Sequence, residues 1–140
     1  MKRYTTTHLV RGEHLNHHGN LYAGQAIEWM VETAFITATS EYGANTILFK
    51  NAHKFDFMKS VLPGDIIYYE GTIVKAGKSS LTMRVGMYNQ ATGQLHAEGF
   101  ATLICVDEES ARPVAHGIVL DEPADENEAA WREEALSYFK

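Results

Sequence analysis

The chain has 140 residues, 45% of them hydrophobic, with 12 Lys and Arg against 18 Asp and Glu and a formal net charge of -6. This is enough chain and apolar side chain for one globular domain with a core, and the composition is too ordinary for a disordered or fibrous protein. Seven of the acids and two of the bases fall in residues 121–140, so the body is nearly neutral and has no basic stripe interleaved with aromatics to grip a nucleic acid.

Met1–Thr7 has no apolar signal core, and no run reaches the ~18 apolar residues of a membrane span. The expectation is a cytoplasmic protein with no membrane partner. Tyr4–Val10, rich in Thr and β-branched residues, predicts a first strand, broken at Arg11-Gly12-Glu13. Next comes a polar loop, Asn16-His17-His18-Gly19-Asn20, which runs directly into an apolar-periodic helix over Tyr22–Tyr42, with Gly43 in the position of a left-handed cap. Spacing of 3.6 residues puts Ala26, Ile27, Met30, Val31, Ala34 and Ala38 on one face, with Glu28 and Glu32 together at its border.

That loop-to-helix junction is chemically suggestive. First-turn N–H groups have no intrahelical acceptor and suit a developing oxyanion, while a carboxylate further along the helix is placed to activate water. A metal at Glu13, His14, His17 and His18 is not expected, because neither a Cys nor a fixed helical His pair accompanies them.

Beyond Gly43 the pattern becomes period-two and β-rich: Thr46–Phe57, Asp65–Ala76, Ser79–Gln90 and Gln94–Val106, joined by short turns at Pro63-Gly64, Gly77-Lys78 and Thr92-Gly93. Alternation in the first run sets His53, Phe55 and Phe57 on one side and Lys54 and Asp56 on the other. The lone Cys105 lies in the last run and reads as an inert core thiol. One strand, a long helix and four sequential antiparallel strands make an α+β domain over residues 1–120, a curved sheet of about five strands wrapped around one central helix. Residues 121–140 form an acidic tail with a short amphipathic helix around Ala129–Phe139.

The Asn16-x-x-Gly19-x-Leu21-Tyr22-Ala23-Gly24 loop, the stretch Phe57-Met58-Lys59-Ser60-Val61-Leu62-Pro63-Gly64-Asp65 and Ala97-Glu98-Gly99-Phe100-Ala101-Thr102 together resemble the acyl-CoA hydrolase branch of the hotdog-fold thioesterases. The resemblance spans roughly residues 5–107. It implies a hotdog fold and hydrolysis of an acyl-CoA thioester to a carboxylic acid and coenzyme A, with no metal or cofactor. It also implies a homodimer or a higher homo-oligomer, tetramer or hexamer, whose sites draw on two chains. Asn16 falls on the family's Asn beside the thioester, and Ala23 and Gly24 on the residues whose N–H groups polarise the carbonyl. The family's helix acid falls on Val31, which leaves Glu32, and behind it Glu28, as the acids at hand. His53 is expected to line the acyl cleft, and Lys75, Lys78, Ser79 and Ser80 match a turn that contacts coenzyme A phosphates. Two other readings share the fold: a 3-hydroxyacyl dehydratase using His14 and Glu28, fourteen residues apart, and an acyl-CoA-binding protein without catalysis.

Overall fold

The computed structural model describes residues 1–139. Strand β1 (Arg3–Leu9) leads through a short 3-10 turn to helix α1 (Ala23–Tyr42), followed by β2 (Ile47–Phe57), β3 (Ile66–Ala76), β4 (Ser80–Asn89) and β5 (Leu95–Cys105), and then helix α2 (Glu126–Ser137). The strands pair antiparallel in the order β1-β3-β4-β5-β2. Since β1 and β2 occupy opposite edges, the chain crosses the whole sheet between them. That crossing is α1, which touches all five strands on one face.

Two of the three expected hairpins form; the turn at Pro63-Gly64 does not make one, because β2 pairs with β5 and not with β3, and the expected four-strand meander is reduced to β3-β4-β5. At β3–β4 the Gly77 N–H donates to the Ser80 carbonyl, and at β4–β5 Gly93, at φ 72°, donates to Asn89. Helix α1 ends at Gly43, whose φ of 81° lets its N–H return to the Thr39 carbonyl, a conformation that costs an L side chain strain.

The helix is rotated from the expected face. Its buried residues are Ala26, Trp29, Met30, Thr33, Ala34, Thr37 and Ala38, whereas Ile27 is 39% exposed and Val31 only half-buried. The threonines go inside because each hydroxyl is already satisfied within the helix, Thr33 donating to the Trp29 carbonyl and Thr37 to that of Thr33, both at 2.8 Å. Their methyl groups then serve as core. Opposite them stands Gly71 on β3, where an added Cβ would lie 2.2 Å from the Thr37 hydroxyl and 3.3 Å from the Thr33 methyl. Gly71→Ala forces α1 off the sheet, and a loss of about 1–3 kcal/mol in urea unfolding is expected.

The other face of the sheet is covered by α2, the expected C-terminal helix. Asp125 caps it, its carboxylate accepting from the Glu128 N–H at 2.8 Å. Trp131, Ala135 and Tyr138 pack on Val74 and Phe100. Beneath them Arg84, 2% exposed, donates to Glu98 through Nε and Nη2 at 2.9 and 2.7 Å and to the Tyr88 hydroxyl at 2.8 Å, with the Trp131 ring 4.0 Å away. Lys54 bridges Glu98 and Glu134 at 3.3 and 3.0 Å.

Candidate active site

The loop before α1 is held by Asn16. Its Oδ1 accepts from the N–H groups of His18 and Asn20 at 2.9 and 3.2 Å, and its backbone bonds Asn20 and Gly19. With Oδ1 so occupied, the Asn16 amide N–H groups remain for a ligand. The helix begins without a side-chain cap at Tyr22, and its first return bond is from Ala26 to the Tyr22 carbonyl. The N–H groups of Ala23, Gly24 and Gln25 therefore find no acceptor among the described residues. This contrasts with α2, where Asp125 fills that role. The free donors open on a cleft of about 290 Å³ lined by Asn16, His18, Asn20, Leu21, Ala23, Phe57 and Ser60.

Asn16, Ala23 and Gly24 are thus brought together, but Glu28 and Glu32 are carried away. At about 100° per residue, they stand about 140° and 180° around α1 from Ala23. Glu28 is exposed and accepts from the Gln25 side chain at 3.1 Å. Exposed Glu32 is on the side of a second cleft, about 330 Å³, whose walls include His8, Arg11, His14 and Trp29. There His8 stacks flat on Trp29 at 4.1 Å and His14 meets the same ring edge-on at 4.8 Å. The His14 Nδ1 accepts the Arg11 N–H at 3.0 Å, which assigns its proton to Nε2. The pairing of His14 with Glu28 in the first cleft, required for the dehydratase reading, is absent from the single chain.

Burial holds the His8 pKa below its ordinary 6.5 although the Glu32 charge pulls upward, and His14 adds to the depression. His53 is lowered by burial and by Lys50 and Lys75. Unfolding raises the proton affinity of both imidazoles. Their contribution is therefore complete above the unfolded value near 6.5 and is lost as pH falls toward the native values. The urea midpoint should decline between pH 7.5 and 5, and His8→Phe should shallow that decline.

His53 does not join Phe55 and Phe57. A β-bulge between Ala52 and Lys54 breaks the alternation, so His53 turns to the α2 face, bonded to the Thr102 hydroxyl at 2.7 Å and stacked on Tyr138. Phe55 and Phe57 instead pack toward the core beside α1. Lys75, Lys78, Ser79 and Ser80 gather at the β3–β4 turn, where Lys75 Nζ lies 4.0 Å over the Phe139 ring and Lys78 is exposed. This turn flanks the Cys105 end of β5, and the first cleft flanks the Ala97 end, about 26 Å apart at ~3.3 Å per residue. Sequence reasoning left out His18 and Ser60. Their places follow from side-chain-to-backbone bonds in the Asn16 loop and from the chain's return after β2, neither of which leaves a periodic signal.

Residues 18–96 match the family model described as the thioesterase superfamily. Among curated proteins none matches the chain. Among solved structures, a hexameric acyl-CoA thioesterase in its apo form is 30% identical, with 98% of this chain and 88% of that one aligned at a TM-score of 0.84. An acyl-CoA hydrolase from Staphylococcus aureus, solved with butyryl coenzyme A, coenzyme A and coenzyme A disulfide, is 25% identical over 98% of this chain and 81% of that one, at a TM-score of 0.86. The acyl-CoA hydrolase of Bacillus cereus, 24% identical over 96% of this chain and 82% of its own, shares the fold at a TM-score of 0.84. A sheet wrapped on a helix whose uncapped end opens into a cleft, and a family match over more than half the residues, make this chain a hotdog-fold member of the thioesterase superfamily.

Proposed function

We propose that the protein hydrolyses an acyl-CoA thioester to the carboxylic acid and free coenzyme A. The observation that carries this reading is the uncapped start of α1, where Asn16 and Ala23 line one cleft and the N–H groups of Ala23 and the adjoining Gly24 have no acceptor among the described residues. A thioester oxygen seated there gains donors as it becomes an oxyanion. Water adds to the acyl carbon, the tetrahedral intermediate collapses, and the C–S bond breaks to release the thiol.

Two copies complete the site in this reading. Strand β2 is an open edge, with Leu48 and Phe49 about half exposed, the kind of edge that pairing protects. Antiparallel pairing of two β2 strands about a two-fold axis lays the Ile47 end of one against the Phe57 end of the other. The Lys75–Ser80 turn of the second copy then approaches the cleft of the first, where its lysines and serines suit coenzyme A phosphates. Such dimers are the unit for a tetramer or hexamer, and a hexamer is what the 30%-identical relative forms. The reading sets the enzyme in the cytoplasm, a reducing compartment that suits the free, buried Cys105. No helix among the described residues is long and apolar enough to cross a membrane.

Thiol release from a panel of acyl-CoAs, short to long and including aryl, tests the proposal. Turnover with at least one of them, at a kcat/KM on the order of 10⁴ M⁻¹s⁻¹ or more, is expected. Coenzyme A binding without thiol release would replace the hydrolase with a binding protein. Hydration of a crotonyl-type substrate without thiol release would replace it with a dehydratase.

A further inference from the structure

We infer that His18, an imidazole in the loop ahead of α1, is the general base of the thioester cleft, in the place where a helix carboxylate is expected; this rests on the hydrolase reading above. Among the polar and aromatic side chains that line the cleft, Asn16, His18, Asn20, Phe57 and Ser60, the imidazole is the one equipped to act as a general base. The helix offers no competitor on that side. Ile27 and Val31 follow Ala23 at about 40° and 80° around the axis, while Glu28 and Glu32 are on the far side.

In the two-fold arrangement proposed above, the strand and turn brought toward the cleft, residues 46–55 and 75–80, contain lysines and no carboxylate. The His18 backbone is fixed by its N–H bond to Asn16 Oδ1, so the base and the donor amide hang from one anchored turn. Its ring centroid lies 3.9 Å from that of His17, the two rings tilted by 42°. Lys59, on the segment that follows β2, turns its ammonium to the Gln94 side chain at 3.0 Å.

In the forward step His18 takes a proton from water as the water oxygen bonds the acyl carbon and the carbonyl electron pair moves onto oxygen, toward the free N–H groups of α1. On collapse the C=O re-forms, the C–S bond breaks with its electron pair on sulfur, and the imidazolium returns the proton to the thiolate. No other reactant is needed.

The test compares the wild-type enzyme with His18→Gln, His18→Gly, His17→Gln and Glu32→Gln, using the best acyl-CoA of the panel and coenzyme A as the binding probe. His18→Gln should lower kcat/KM by about 10²- to 10⁴-fold, keep coenzyme A affinity, and lose the acid limb of the pH profile. Added imidazole should restore turnover to His18→Gly in proportion to its concentration, a response that a merely structural histidine does not give. His17→Gln should keep wild-type kcat/KM. Full activity in His18→Gln beside an active wild type overturns the assignment of the base and leaves the hydrolase reading standing. Activity lost in Glu32→Gln and kept in His18→Gln overturns it in favour of the helix acid. A wild type that releases no thiol from any acyl-CoA overturns the hydrolase reading and this inference with it.

Discussion

Ala23→Pro should lower kcat/KM for acyl-CoA by about 10²- to 10³-fold, the effect of losing one oxyanion donor, while leaving stability almost unchanged. Ala23 is the first helical residue after Tyr22, the position where proline is best tolerated because its missing N–H is unpaired in any helix. The residue before a proline must be extended, and Tyr22 already is, at φ -66° and ψ 131°. Proline therefore deletes the donor and little else. Equal falls in kcat and kcat/KM would place the bond in the transition state, whereas a rise in KM alone would place it in substrate binding. An unchanged rate would remove the Ala23 N–H from the chemistry.

The largest expected stability effect is far from the cleft. Glu98→Ala leaves the Arg84 guanidinium, 2% exposed, without its carboxylate partner among the described residues. Removing one member of a buried ion pair costs about 3–5 kcal/mol, which for a chain of this length is roughly 10–17 °C in Tm. One of the three carboxylates around Lys54 is lost as well, leaving Asp56 and Glu134. A double variant, Arg84→Leu with Glu98→Leu, should recover most of that loss, since an apolar pair under Trp131 carries no orphaned charge. Thermal melts of the three proteins check this, and a double variant no better than Glu98→Ala would show that the ion pair is not the source of the effect.

The elements were legible because their signals are local. Gly43 marks the end of α1 through its own φ, and the turns at Gly77 and Gly93 fall between β-rich runs. The helix face was legible only in part. Counting Thr33 and Thr37 as polar hides that their hydroxyls return to the helix backbone, and this turns the buried side toward Trp29 and exposes Ile27. His53 misled for a different reason, since a bulge against β5 is a property of two strands and not of one. Of the residues proposed for the site, Asn16 and Ala23 line the cleft and Gly24 follows Ala23 in the first turn of α1. Glu28 and Glu32 were found by type, but a helix separates side chains by angle, and both lie beyond the cleft's reach on α1. The turn at Lys75–Ser80 is a consecutive stretch and so was visible, but it lies at the opposite end of β5 from the cleft, and in the proposed reading only a second copy of the chain brings the two together.

That link is the most direct measure of the site as a whole. Ala23→Pro on one chain and Lys75→Ala with Lys78→Ala on the other, co-expressed and purified through two different tags, form mixed dimers in which one site has both lesions and the other has neither. Thiol release should then recover to about half the wild-type rate, one intact site of two, although each variant alone is impaired. A mixed dimer no more active than the mean of the two parents would contradict a cleft built from the start of α1 and the basic turn of a second copy.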